Sequence, residues 1–288
     1  MKSIEPRVNL KHNDKFVNFS YKNSKGAQPK PISVLQTIKL TSHFFEGLGL
    51  YIGESEKTEK GKALSFTNSD KDLLNIIINW LEKYFGIPKK ELMFTVISPN
   101  SKDLDILNKK WANSLKVNIN QFTKPSIPIR NPGNLDRVRI FRNKILYRRL
   151  LDSVTKESLQ YTLKNKSWGN GFLRGFYAAE GSVILRKNKI NQIYLCGKDL
   201  EILTLIKNLL INRLFSFSRE PIRTCKKGRN KDNQYEILIF SVDNFKKAKK
   251  IQLFRLNRER HLKFNKGLSN LLCAGAGVVK RAGLRAVK

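Results

Sequence analysis

The chain has 288 residues, and 56 Lys and Arg against 23 Asp and Glu leave a formal net charge of +33. A hydrophobic fraction of 40% with 17 Phe suffices for a packed core in one large domain or two ordinary ones, which argues against wholesale disorder. So basic a chain calls for a polyanionic partner, nucleic acid before an anionic membrane surface.

Residues 1–35 are basic, show little periodicity, and read as an N-terminal arm, either solvated or laid along a phosphate backbone. Residues 1–14 lack the apolar run of a secretion signal, so an intracellular setting is expected: cytoplasm, nucleoid or organelle matrix. Residues 42–55 read as an apolar helix with Ser42 as N-cap. A strand is predicted at 63–67, followed by turn chemistry in Asn68-Ser69-Asp70. Over 70–85, Leu73, Leu74, Ile77, Trp80, Leu81 and Phe85 recur at helical spacing, and Gly86-Ile87-Pro88 stops the helix. The most apolar window, 73–81, is too short for a membrane span, and no membrane partner is expected. A strand at 92–98, a helix at 102–115, a strand at 137–142 and a helix at 145–154 complete this half.

The order then repeats. Asn170 is placed to cap a helix ending at Gly181, and strands follow at 182–186 and 192–196. Gly197-Lys198-Asp199 turns into a helix at 200–214, and strands at 221–225 and 235–242 lead to a helix at 245–253. Phe66 to Asp70 and Leu195 to Asp199 occupy equivalent places, so the chain reads as two α+β halves. The division is an arm at 1–35, a first domain at 36–163, a second at 164–267 and a patternless tail at 268–288. Cys196, Cys225 and Cys273 are scattered, as are His12, His43 and His261, which disfavours a disulfide framework or a zinc site.

Aligned by their acids, Gly49-x-x-x-Gly53-Glu54 lies over Gly175-x-x-x-Ala179-Glu180, with 180 − 54 = 126 residues between them. Residues four apart share a helix face, so each helix presents a stripe of small residues. Interior glycine costs a helix about 1 kcal/mol against alanine, and its repeated use asks for a packing reason. If the stripes pack on each other, the two carboxylates come together, and a divalent cation such as Mg²⁺ would relieve their repulsion.

The segment from Leu173 through Gly175, Ala179 and Glu180 to Gly181 resembles the LAGLIDADG motif, with Glu in place of the last Asp. Gly47 to Ser55 is similar but looser, with Ser55 replacing the terminal glycine. The resemblance covers about residues 36–265 and implies a single-chain homing endonuclease of the two-motif form, intron-encoded and monomeric. The implied fold is α+β: two pseudo-twofold αββαββα domains whose antiparallel sheets form a saddle over double-stranded DNA. It implies metal-dependent phosphodiester hydrolysis giving a staggered cut, with Mg²⁺ (or Mn²⁺) as cofactor. Glu54 and Glu180 would be the catalytic, metal-binding acids, and the carbonyls of Gly53 and Ala179 would be further ligands. Glu56 competes with Glu54 for that role.

Strand charge supplies DNA-binding candidates. Arg137, Arg139 and Arg142 alternate roughly with Val138, Ile140 and Phe141; Arg186, Lys187 and Lys189 follow the second motif; Arg223, Lys226 and Lys227 flank a later strand. Lys246, Lys247, Lys249 and Lys250 are expected on a helix, facing phosphates or solvent. A second reading keeps the fold without catalysis: a maturase holding intron RNA, or a DNA-binding protein.

Overall fold

Alternation of apolar and polar residues over only a few positions is enough to build a sheet at the N-terminus. The computed structural model describes residues 8–21, 31–55, 64–99, 104–124, 135–142, 145–225 and 234–283. They form two compact units, one with residues up to Phe44 and Glu54–Leu159, the other with Phe45–Gly53 and Gln160 onward.

In the first unit, β1 (Val8–His12), β2 (Phe16–Tyr21) and β3 (Ile32–Leu35) pair antiparallel in the order β1-β2-β3. Val17 and Phe19 lie opposite Val34 and Ile32, which are buried. Within the stretch read as an arm, the described residues thus form a folded sheet, its alternation hidden by strands of four to six residues. Helix α1 (Ser42–Glu54) is capped by Thr41, whose Oγ1 accepts the Phe44 N–H at 3.1 Å, one residue before the expected cap.

After β4 (Leu64–Asn68), Asp70 caps α2 (Lys71–Phe85) by accepting the Asp72 N–H at 2.8 Å. Gly86 ends that helix at φ 67°, and a side chain there would meet Phe16 and Leu35 at 3.3 Å, where the N-terminal sheet docks. There follow β5 (Met93–Ile97), α3 (Leu104–Leu115), β6 (Arg137–Arg142) and α4 (Ile145–Leu159). The sheet order is β4-β6-β5, and buried Phe66, Ile140 and Phe94 form one row across it.

The second unit runs α5 (Lys166–Glu180), β7 (Gly181–Arg186), β8 (Lys189–Gly197), α6 (Leu200–Ile211), β9 (Ile222–Cys225), β10 (Gln234–Ile239) and α7 (Val242–Lys250). That is the αββαββα order. Asn165 caps α5 by accepting from Ser167 and Trp168; the expected cap, Asn170, instead accepts from Arg213 at 2.7 Å. The sheet order is β7-β8-β10-β9, with Leu195, Ile237 and Ile222 in the row equivalent to Phe66, Ile140 and Phe94. Even the outermost strand has a counterpart: an antiparallel bridge joins Ser55 to Phe66, as Gly181 joins Leu195. The fold is α+β with antiparallel sheets.

Helix α8 (Arg258–Gly283) corrects the tail reading, because buried Phe264 and Leu268 anchor it and the helix continues to Gly283. A side chain at Gly267 would sit 2.6 Å from Leu185, so α8 lies close on the β7–β8 hairpin. No helix among the described residues is long and apolar enough to cross a membrane.

Candidate metal and nucleic-acid site

Within the second unit, the Phe45–Gly53 segment of α1 packs on α5 through the small residues of both motifs. A Cβ on Gly49 would lie 2.3 Å from the Phe172 carbonyl oxygen, and one on Gly175 would lie 2.0 Å from that of Glu46. Each glycine also abuts the backbone nitrogen one turn on, Phe176 for Gly49 and Leu50 for Gly175. These contacts are related by the same 126-residue offset as the acids. Farther along, a Cβ on Gly53 would fall 2.4 Å from that of Ala179. Backbones this close leave no space for side chains, which is the packing reason for the glycines.

Polar groups fix the pairing. Glu46 is buried on α1 and accepts from Arg174 Nε at 2.6 Å and from Arg255. Arg174 also donates to the Ile251 carbonyl at 3.2 Å. Burial lowers the Arg174 pKa, with Glu46 opposing the shift. A buried ion pair contributes little net stability, but losing one partner strands the other at a cost of about 3–5 kcal/mol.

The two acids are the last residues of α1 and α5. A carboxylate at a helix C-terminus faces the negative end of the macrodipole, so both positions favour a neighbouring cation. Glu54 is half-buried and accepts from Asn68 Nδ2 at 2.8 Å, while Asn68 Oδ1 takes the Asp70 N–H at 2.7 Å and so fixes the amide. Glu180 is exposed. Arg260 Nη1 donates to the carbonyls of Tyr177, Ala178 and Ala179 at 3.0, 2.6 and 3.2 Å, engaging one of the expected carbonyl ligands. Among the described residues no group of three or more His, Cys, Asp or Glu could hold a metal. The donors on offer beside each motif acid are therefore one carboxylate and backbone carbonyls, oxygen ligands of the kind that hard cations take. Sequence reasoning missed Asn68 and Arg260, because nothing local ties them to residues 14 and about 80 positions away.

Strand register sorts the basic candidates. On β6, Val138 and Ile140 face the core, so Arg137, Arg139 and Phe141 share the outer face with Ser65, Thr67 and Thr95. Arg139 Nε donates to Ser65 Oγ at 3.0 Å. Arg142 has the opposite parity, belongs with the core-side residues and pairs with Glu91 at 2.7 Å. Its expected place beside Arg137 and Arg139 is corrected by the two-residue period of the strand.

In the second sheet, Arg186, Lys187 and Lys189 gather at the β7–β8 hairpin, where Lys187 and Asn188 take φ of 49° and 58° as a two-residue turn requires. Arg223 lies opposite Glu236. The outer face also carries Gln192 and Tyr194, neutral hydrogen-bonding groups that an emphasis on charge overlooks. Lys226 and Lys227, like Glu56, lie outside the described residues.

Residues 167–251 match the family model of the LAGLIDADG-like domain. No curated protein matches the chain. Among solved structures, mesophilic variants of the homing endonuclease I-DmoI are 17% identical, covering 75% of this chain and 98% of theirs, with a TM-score of 0.38. I-DmoI in complex with DNA and Ca is 17% identical over 76% of this chain and 95% of that one, with a TM-score of 0.39. Full-length DUF199/WhiA from Thermatoga maritima is 8% identical, covering 87% and 70%, with a TM-score of 0.42. By the family match, residues 167–251, which span nearly all of α5 and the ββαββα elements after it, are a LAGLIDADG-like domain.

Proposed function

We propose that this protein is a site-specific double-strand DNA endonuclease of the homing type. The observation that carries the reading is the packing of the motif helices. Gly53 and Ala179 meet at their Cβ positions, and the next residue after each is an acid at a helix end that favours a cation. The charge of +33 supports a polyanionic substrate.

In this reading Glu54 and Glu180 hold the metal, with carbonyl help from Gly53 and Ala179, and Asn68 orients the Glu54 carboxylate. When bound, Mg²⁺ (or Mn²⁺) supplies Lewis-acid charge at the scissile phosphate and makes water nucleophilic near neutral pH. Arg137, Arg139, Arg186, Lys187, Lys189 and Arg223 contact the duplex, and Gln192 and Tyr194 add neutral base-edge or phosphate contacts.

A second, non-catalytic reading, a DNA or intron RNA binder, is favoured by one observation: Arg260 already engages the Ala179 carbonyl. One experiment separates the two. The protein is incubated with Mg²⁺ and DNA carrying the uninterrupted locus that flanks its coding sequence. A staggered double-strand break is expected, and Glu180→Gln abolishes it with duplex affinity nearly unchanged. Cleavage that survives in Glu180→Gln defeats the metal role, and tight binding with no cut under Mg²⁺ or Mn²⁺ favours the binder.

A further inference from the structure

Helices α7 and α8 hold a concentration of charge that the fold does not require. Residues 243–273 contain nine Lys and Arg against Asp243 and Glu259, whereas α4, the helix that closes the first half, carries three against two. Lys246, Lys249 and Lys250 are exposed on one face of α7, and Lys263 and Lys266 are exposed three residues apart on α8. The macrodipole accounts for lysines in the last turn of α7 but not for those inside α8.

The position of these helices matters as much as their charge. Gly267 lies on Leu185 and Ile190, so α8 covers the core side of the β7–β8 hairpin, opposite the face bearing Gln192 and Tyr194. Sheet and helix layer together put roughly 20 Å of protein between the two surfaces. A straight duplex seated on the outer face is therefore kept from Lys263 and Lys266 on α8, against which α7 packs. These helix faces are lysine-rich and lack exposed aromatic rings among the described residues, which suits backbone phosphates rather than bases.

We propose that α7 and α8 form a second duplex-backbone surface, which lets one molecule hold two DNA segments at once and pass between them during target search. The inference rests on the nuclease reading only in taking the outer sheet face as the first DNA surface.

The test replaces Lys246, Lys249, Lys250, Lys263 and Lys266 together by Ala, a substitution that helices accept well. A bead-tethered duplex of arbitrary sequence, loaded with protein, is offered a second, labelled duplex. The wild type is expected to capture it. The variant, with a melting curve matching the wild type, is expected to lose capture by about tenfold or more while its affinity for a single duplex changes less than about threefold. If the set unfolds the protein, the Lys263→Ala, Lys266→Ala pair is read in its place, with a smaller loss expected in the same direction. A wild type that holds only one duplex overturns the proposal, as does equal loss of first and second duplex. Folded RNA retained on this surface in preference to duplex overturns the choice of DNA. Capture needs no cleavage, so a protein that captures but never cuts defeats the nuclease reading alone.

Discussion

At Gly53 and Ala179, two helices meet with no room for another carbon. Gly53→Ala is expected to destabilise the fold by about 1–3 kcal/mol, because the added methyl collides with a side chain that has no rotamer to retreat into. Ala179→Gly in the same chain removes that collision. The double variant should recover part of the loss, a coupling of about 0.5–3 kcal/mol, and denaturant unfolding of the four species measures it. Strict additivity would show that the two positions do not touch. The stripes were legible because helix periodicity places residues four apart on one face whatever surrounds them. Arg142 was misread because a one-residue change of parity moves a side chain through the sheet, and charge alone does not reveal parity. Arg260 was invisible because its partners are three carbonyls with no sequence signature.

Among elements, the repeat was the most legible feature. Phe66 aligned with Leu195 by turn chemistry, and both proved to be bridged to the residue after the motif acid, Ser55 and Gly181. Helix ends were less legible, and α4 runs to Leu159 because tertiary burial at Leu151 and Ser158 carries it past its periodic stretch. The same helix supplies a pH test. Tyr147 is buried on α4, and desolvation first, then Glu91, push its pKa up to about 12, with Arg142 opposing. Its neutral form is favoured in the folded chain. That stability is fully present below the ordinary tyrosine value of about 10 and is lost as pH rises from there through about 12. Buried Tyr177 is raised in the same direction by desolvation. Melting temperature should therefore fall across this alkaline range, and Tyr147→Phe should make the fall shallower. An unchanged slope would mean that Tyr147 titrates alike in both states.

Over the whole molecule, charge was legible as a sum but not as a distribution. If DNA binding is dominated by phosphate contacts, log affinity should fall linearly with log salt concentration. Replacing Arg137 and Arg139 by Ala should reduce that slope by about two, one contact each. Arg142→Ala should leave the slope intact and instead lower stability, because Glu91 loses its partner. Slopes measured on an arbitrary duplex decide this, and an equal effect at all three positions would refute the facing read from the strand register.

Residues Phe45–Gly53 cluster with chain that begins at Gln160, so this helix is made long before its packing surface exists. Between Glu54 and Lys166 the ribosome must add about 110 residues, which takes roughly 5–20 s at ordinary elongation rates. Throughout that interval Phe45, which stacks on Trp168 in the finished fold, and the bare Gly49–Gly53 stripe lack their partner helix. The nascent polypeptide therefore passes through a window in which it depends on chaperone shielding, and a truncated translation product ending before α5 should be cleared by proteolysis or aggregate.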